Sequence, residues 1–271
     1  MMAQLIDRKS LKQEMKHLLR SAQVSARGMV CLYLALILVL NLANSFISAI
    51  NSGLPATFVF ILANLLSMVL SAGFVLYCMA VRRGERAEYL TLFDGFSFVG
   101  KVILLNLVIY CFTLLWSMLF VIPGIVAAYR YRFALYNLYE NPGLNVMEAL
   151  ETSKRQTRGY KGQLFMLDLS YFGWYLLASL PVLAEFFYGY FLIFQDPGYY
   201  LADLNRISAI SLPISGGLQI LLDNLWPMAL AVFYLPVYQC TELGYFDIAR
   251  QTSGVGGSAP GQPEDGGWSG F

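Results

Sequence analysis

The sequence predicts an all-α fold: a polytopic transmembrane helical bundle of about six spans, with amphipathic helices at the membrane surface. Three observations predict this class. Of the 271 residues, 58% are hydrophobic and 13% are charged, whereas soluble domains have about 45–50% apolar and about 25% charged residues. Mean hydropathy is +0.57. Several apolar runs approach about 20 residues, the length that crosses about 30 Å of hydrocarbon as a helix.

The distribution of charge predicts the orientation of the chain in the membrane. Sixteen of the 18 Lys and Arg residues lie at or before Lys161, and only Arg206 and Arg250 follow. These basic clusters flank apolar runs, so membrane topology accounts for them better than nucleic-acid binding does. The positive-inside rule places the N-terminus and the C-terminus in the cytoplasm. The partners we expect are membrane lipids with anionic head groups, together with protein partners that the sequence does not identify.

Residues 5–22 predict a basic amphipathic helix that lies on an anionic leaflet. Leu11, Met15, Leu18 and Ala22 recur at helical spacing on one face. The remaining positions carry Lys9, Lys12, Lys16 and Arg20. A cleavable signal peptide is the alternative, but the apolar core begins late and no small-x-small cleavage site follows. We therefore expect an uncleaved start.

A single transmembrane domain is predicted over residues 1–251, with a disordered tail over 252–271 that is rich in Gly, Ser and Pro. The predicted spans are 29–50, 57–81, 99–122, 125–139, 164–183 and 225–244. The uncharged turn after Asn51 is placed outside. The segment RRGERAEYLTLFDGF is placed inside, because it carries three arginines.

Two breaks and one aromatic segment shape the second half of the chain. The pair Pro123-Gly124 suits a tight turn, because proline lacks an amide hydrogen and glycine is permissive. Pro181 offers a second break. Residues 186–200 are crowded with Phe and Tyr and predict an interfacial belt on the outside, followed by a short interfacial helix over 213–224.

Residues 145–159 predict a capped helix docked under the bundle. Asn145 and Glu148 have the spacing of a capping box. Glu151 and Arg155 are four residues apart and can pair on one helical face. Gly159 suits the C-terminal stop. A solvated cytoplasmic connector is the alternative interpretation of the same segment.

Arg130 and Arg132 lie inside the predicted fourth span. Counting back from Glu140 at 1.5 Å per residue places them roughly 15 Å and 12 Å below the inner surface, where charge is costly. The candidate partners are Asp168, Glu242 and Asp223. One hypothesis is that a buried ion pair fixes helix packing. A second is that the arginines line a polar cavity for an anionic head group or solute. A third is that they snorkel or that the span boundaries are misplaced.

A resemblance rests on several short motifs taken in order. They are Ile122-Pro123-Gly124, Arg130, Phe133-Ala134, Glu140-Asn141-Pro142, Glu148-Ala149-Leu150, Ser153 and Gly159. With the Arg8-Lys9-x-x-Lys12 opening and the Leu164–Trp174 segment, the pattern resembles an integral membrane family of bacteria, domain of unknown function 975. Part of it also resembles the membrane domain of some glycerophosphodiester phosphodiesterases. The resemblance implies a bacterial membrane and a topology. We expect no phosphodiesterase activity, because these residues hold no soluble phosphodiesterase domain.

No catalytic or metal-binding pattern is evident in the sequence. HExxH, Gly-x-Ser-x-Gly and Walker motifs are absent, no CxxC pair occurs, and His17 is the single histidine. We expect no cofactor, no metal and no enzymatic activity, although Asp168 and Glu242 could form a carboxylate pair. The expected function is a non-catalytic protein of the bacterial plasma membrane that organises or regulates membrane or envelope components. The alternative is a small permease or lipid-handling protein with an Arg-lined intramembrane cavity.

Overall fold

The protein is all-α in the computed structural model, which describes residues 4–22, 24–50, 53–198, 213 and 216–255. A 3-10 helix, Tyr89–Phe98, lies between α3 and α4. The α-helices are α1 Arg8–Ser21, α2 Ala26–Ile50, α3 Leu54–Arg83, α4 Val99–Leu119, α5 Val121–Tyr131, α6 Ala134–Glu140, α7 Val146–Gln156, α8 Lys161–Leu169, α9 Phe172–Ala178, α10 Leu180–Gln195 and α11 Gly216–Ser253. Of the predicted outer turn over residues 51–55, residues 51–52 lie outside the described residues, and α3 already begins at Leu54. The predicted disordered tail begins at residue 252, but the last helix continues to Ser253, and the chain beyond residue 255 lies outside the described residues.

Four helical stretches in the described part of the chain are long and apolar enough to cross a membrane. They are Ala26–Ile47, Leu54–Arg83, Tyr89–Leu119 and Leu221–Ser253. A fifth span is formed if the pair α9 and α10, bent by 60°, crosses as one unit. The helical bundle is therefore as predicted, with four to five candidate spans in place of about six.

The predicted fourth span, 125–139, is two short helices in the structure. The chain turns at Phe120, three residues before the predicted turn at Pro123, and α4 and α5 form a helical hairpin. Pro123 falls in the first turn of α5, where a missing amide hydrogen costs nothing. A Cβ on Gly124 would lie 2.9 Å from the Cα of Ser117. The Pro-Gly pair therefore permits close packing of the hairpin and does not itself form the turn.

The predicted fifth span, 164–183, is divided among α8, α9 and the start of α10. The last break falls at Ser179, and Pro181 lies in the first turn of α10, a position where proline is favoured. The predicted aromatic belt begins as the continuous helix α10, whose Phe187 and Phe194 are largely exposed. Residues 199–212 lie outside the described part of the chain. The short helix expected at 213–224 is, from residue 216 onward, the first part of the 38-residue α11.

The bundle divides into a lipid-facing part and a tightly packed part. Phe46 and Phe58 are mostly exposed, whereas Tyr77 and Phe133 are fully buried. Exposed apolar surface on this scale requires a cover, which the hydrocarbon of a bilayer provides. The guanidinium of Arg27 lies 5.9 Å from the centre of the Phe233 ring. We infer that the edge of the hydrocarbon layer lies near this pair.

Below that edge, short helices and the ends of long ones form a compact unit that we call the cap. It consists of α1, the 3-10 helix, α6, α7, the N-terminal end of α8, residues 77–83 of α3 and residues 234–253 of α11. Ion pairs hold its base together. Glu140 accepts hydrogen bonds from both Arg83 and Arg250, and Arg82 pairs with Asp247. These bonds join α3, α6 and α11.

Helix α1 packs on protein through its apolar face. Asp7 caps its N-terminus by accepting a hydrogen bond of 3.0 Å from Lys9 N. Leu11, Met15 and Leu19 are buried against α3 and α11. The expectation that this apolar face lies in a leaflet is therefore wrong, because the bundle already covers it. The exposed basic residues of α1 remain available to a partner.

Candidate ion-pair site at Arg132

The site begins at the break between α5 and α6. The amide of Phe133 donates to the Ser153 hydroxyl at 3.1 Å, and that hydroxyl donates to the Arg130 carbonyl at 2.9 Å. The Thr157 hydroxyl donates to the same carbonyl at 3.3 Å. Side chains of α7 thus replace the hydrogen bonds that the broken helix lacks, which a buried backbone requires. The break leaves Arg132 free to point across the bundle.

Arg132 lies between two carboxylates from different helices. Its Nη1 and Nη2 donate to the two oxygens of Asp168 on α8 at 2.7 and 3.0 Å. Its Nε and Nη2 donate to the two oxygens of Glu242 on α11 at 2.9 and 3.0 Å. Both pairs have the bidentate geometry in which guanidinium–carboxylate bonds are strongest. Of the three candidate partners, the structure brings Asp168 and Glu242 to Arg132, whereas Asp223 does not join this network.

Tyrosine hydroxyls complete the network. Tyr129 and Tyr238 donate to Asp168 at 2.6 and 2.8 Å. Tyr136 donates to Glu242 at 2.7 Å and accepts from Gln239 at 2.8 Å. The sequence analysis missed these tyrosines. The signal that could have found them is spacing, because Tyr238 lies four residues before Glu242 and thus on the same face of α11.

In this site the opposite charges pair with one another, and we call such an arrangement a closed network. One guanidinium faces two carboxylates, and the three side chains are 18%, 27% and 6% exposed for Arg132, Asp168 and Glu242. Burial alone would raise the pKa of the Asp168 carboxyl, but the hydrogen bonds and charge of Arg132 outweigh it, so the pKa is lowered. Every oxygen of both carboxylates accepts at least one hydrogen bond. The arrangement fixes helices and leaves no free base.

The other predicted arginine, Arg130, is not part of this network. Its carbonyl is bound by α7, and its Nε is buried without a hydrogen-bond partner among the described residues. The depth predicted by counting from Glu140 assumed one continuous helix. Because the chain breaks at Arg132 and α7 packs beside Arg130, both arginines lie at the edge of the cap.

The remaining predicted residues cap, end or dock helix α7. Asn145 is the N-cap of α7, and Glu148 Oε2 accepts from its amide at 3.0 Å. Gly159 adopts a φ of 90°, the left-handed conformation that favours glycine after a helix. Arg155 pairs with Glu151 at 2.6 Å on the exposed face. Helix α7 is docked, because Val146, Ala149, Leu150, Ser153 and Gln156 are buried.

Two cavities lie elsewhere in the molecule. A groove of about 830 Å³ separates α1 from α8 and is lined by Arg8, Lys9 and Lys12. A second, of about 620 Å³, lies between α3 and the 3-10 helix and is lined by Arg83 and Asp94. Neither Arg130 nor Arg132 lines these two cavities.

Comparison with known proteins identifies a family for the second half of the chain. The family described as "Protein of unknown function (DUF975)" matches residues 118–251, which include Arg132, Asp168 and Glu242. No curated protein and no solved structure matches the chain. The resemblance to glycerophosphodiester phosphodiesterases is not supported by these comparisons. The resemblance to domain of unknown function 975 is therefore confirmed over residues 118–251.

Proposed function

We propose that this protein is a non-catalytic integral membrane protein of the bacterial plasma membrane that organises or regulates membrane or envelope components. The cap faces the cytoplasm in this proposal, with both termini on that side. The closed network around Arg132 carries the proposal. A catalytic site needs titratable groups with free positions at which a substrate can bind. In this network, the hydrogen-bond donors of Arg132 and the acceptors of the two carboxylates bind one another.

The orientation is supported by the charge of the cap. Lys9, Lys16 and Arg20 project from the exposed side of α1, and Arg82 and Arg83 end α3. Basic residues beside membrane spans favour the cytoplasmic side. They also attract the anionic lipids of that leaflet, with about 1 kcal/mol contributed by each residue near the surface.

The alternative of a permease is less well supported. An Arg-lined pathway requires a polar cavity that reaches Arg130 or Arg132, and the two cavities described above do not. Arg132 is engaged on both sides by carboxylates. The lipid-handling part of that alternative retains one supporting observation: the Nε of Arg130 is buried and has no hydrogen-bond partner among the described residues.

The first prediction concerns α1. The double substitution Lys9→Gln/Lys16→Gln should reduce enrichment of anionic lipid around the protein, because both side chains are exposed and lie on the basic face. The measurement is native mass spectrometry of the full chain released from nanodiscs of equal phosphatidylglycerol and phosphatidylcholine. We expect the wild-type chain to retain about five times more of the anionic lipid, since the contribution of about 1 kcal/mol from a basic residue near the surface corresponds to about five-fold selectivity.

The matched control is Lys9→Arg/Lys16→Arg, which keeps both charges and should keep the enrichment. Equal retention of the two lipids by the wild-type chain would contradict the proposal. So would unchanged enrichment in the glutamine variant, because the basic face of α1 would then have no part in it.

A further inference from the structure

Four cations meet where α5, α7 and α8 come together. The Arg130 carbonyl is bound by Ser153 and Thr157, and each of these is followed directly by a basic residue, Lys154 and Arg158. Lys161 begins α8 three residues later. Burial lowers the pKa of Lys161, and the charges of Arg130, Arg158 and Lys154 lower it further. Each of the other three charges therefore lies close enough to Lys161 to repel its ammonium group.

None of these four side chains has an acidic partner within the part of the chain that the structure describes. The neighbouring Arg155 pairs with Glu151, and Arg132 pairs with Asp168 and Glu242. These nearby acidic residues thus pair with arginines outside the cluster. The Nε of Arg130 is buried and lacks any hydrogen-bond partner in the same residues. A buried donor of this kind costs free energy unless something accepts from it. Among the described residues, the Nε of Arg130 thus lacks an acceptor, and three further cations lie beside it.

An apolar stripe on α5 leads away from the cluster toward the lipid. Ile122, Val126 and Arg130 are spaced four residues apart and share one face of the helix. Ile122 is 74% exposed and Val126 is 41% exposed. The stripe therefore has apolar side chains toward the hairpin tip and a cation at the edge of the cap.

A second stripe on α8 has the same order of side chains. Lys161, Phe165 and Leu169 share one face at four-residue spacing, and both apolar residues are about half exposed. Helix α8 packs on α5, with the rings of Phe165 and Tyr129 6.3 Å apart. Each helix thus has a row of exposed apolar side chains with a basic residue at one end. These two basic residues, Arg130 and Lys161, lie near each other.

We propose that this surface is a binding site for one anionic phospholipid of the cytoplasmic leaflet, with its acyl chains along α5 and α8 and its phosphate held by Arg130, Lys154, Arg158 and Lys161. The guanidinium fork matches the geometry of phosphate oxygens. The apolar stripes favour a lipid over a free anion, because a soluble phosphate makes no use of them. The site rests on the proposed orientation but uses residues other than those of α1.

The test compares lipids that differ in one feature. The full chain is placed in phosphatidylcholine nanodiscs with a small fraction of dioleoylphosphatidic acid, and binding of the first anionic lipid is titrated by native mass spectrometry. We expect one lipid to bind at least about 25-fold more tightly than phosphatidylcholine. Arg158→Gln/Lys161→Gln should weaken that binding about 25-fold, since each of the two basic residues contributes about five-fold near an anionic surface.

Controls separate charge from fold. Arg158→Lys/Lys161→Arg keeps the charge and should keep binding, and Arg155→Gln removes a charge from the same helix outside the cluster and should change binding less than two-fold. Thermal unfolding in detergent confirms that each variant folds. Arg130→Gln adds an independent measurement of the cation whose Nε is buried. Phe165→Ser should weaken the binding of dioleoylphosphatidic acid and leave the binding of dihexanoylphosphatidic acid unchanged.

Three results would overturn the site. The first is equal affinity for the anionic and the zwitterionic lipid. The second is full binding by the folded Arg158→Gln/Lys161→Gln variant. The third is that the protein binds the short-chain and the long-chain phosphatidic acid with equal affinity, or that inorganic phosphate displaces the lipid at a similar concentration. Either outcome would assign the cluster to a soluble anion. Lys9→Gln/Lys16→Gln should leave this single-lipid affinity unchanged, so failure here is distinguishable from failure of the proposed function.

Discussion

Replacing Arg132 with alanine should lower the free energy of unfolding by about 3–5 kcal/mol, because it leaves two buried carboxylates without their cation. Asp168 and Glu242 are held by the same guanidinium. They would face each other across a gap, and their mutual repulsion would push α8 away from α11. For a chain of this size the change corresponds to a loss of about 10 °C in Tm. The measurement is thermal unfolding in detergent, followed by size-exclusion chromatography.

The physical cause can be separated from loss of packing. If uncompensated charge is the cause, Arg132→Met combined with Asp168→Asn and Glu242→Gln should recover much of the lost Tm, as neutral replacement of a buried ion network can do. Arg155→Ala is the control, because its pair with Glu151 is about 60% exposed and such pairs contribute about 0.3–0.5 kcal/mol. A Tm for Arg132→Ala within 2 °C of wild type, by the scale of about 2–4 °C per kcal/mol, would show that the network does not hold the helices.

The second large effect is expected at Gly73. A Cβ at this position of α3 would overlap the backbone carbonyl of Leu92 in the 3-10 helix, and Leu92 is fully buried. The contact is mutual, since a Cβ on Gly95 would lie 2.5 Å from Val69 O and 2.9 Å from Gly73 N. Backbone atoms on both sides prevent a local adjustment. Gly73→Ala should therefore destabilise the protein by about 3 kcal/mol, the upper part of the usual range for overpacking.

The control for this prediction is Gly100→Ala. Gly100 lies in α4, and an added Cβ meets nothing within 4 Å, so the substitution should be neutral or stabilise the helix by up to about 1 kcal/mol. Thermal unfolding of both variants in the same detergent makes the comparison. Equal Tm values for Gly73→Ala and Gly100→Ala would show that α3 and the 3-10 helix do not pack at this distance.

Apolar length and periodicity predicted the helical class, because the bilayer requires runs of that length. The same rule failed for residues 125–139. Whether this stretch of 15 residues continues as one helix depends on the hydroxyl of Ser153 in α7. Ser153 lies 20 residues beyond Phe133 and offers the backbone amide of Phe133 an alternative partner. A local pattern in the sequence contains no such information.

The sequence predicted which charged residues could form the candidate site, but not which of them pair with Arg132. Arginine in an apolar run requires a carboxylate, and that argument supplied Asp168 and Glu242 as candidates. Asp223 and Glu242 both lie on α11, roughly 28 Å apart along its axis at 1.5 Å per residue, so the choice between them depends on the height at which α8 packs against α11. The tyrosine partners follow from the same packing. The apolar face of α1 was misassigned because a lipid surface and a protein surface favour the same amphipathic pattern.

The most direct test of this account asks which side of the membrane the cap occupies. Single cysteines are introduced at Gln13 on α1, Glu151 on α7 and Gln195 at the end of α10, in a chain whose exposed Cys31 and Cys111 are replaced by serine. A membrane-impermeant thiol reagent is applied to intact cells and to opened membranes. The account predicts that residue 195 reacts in intact cells and that residues 13 and 151 react only after opening. Reaction of residue 13 or 151 in intact cells would contradict it.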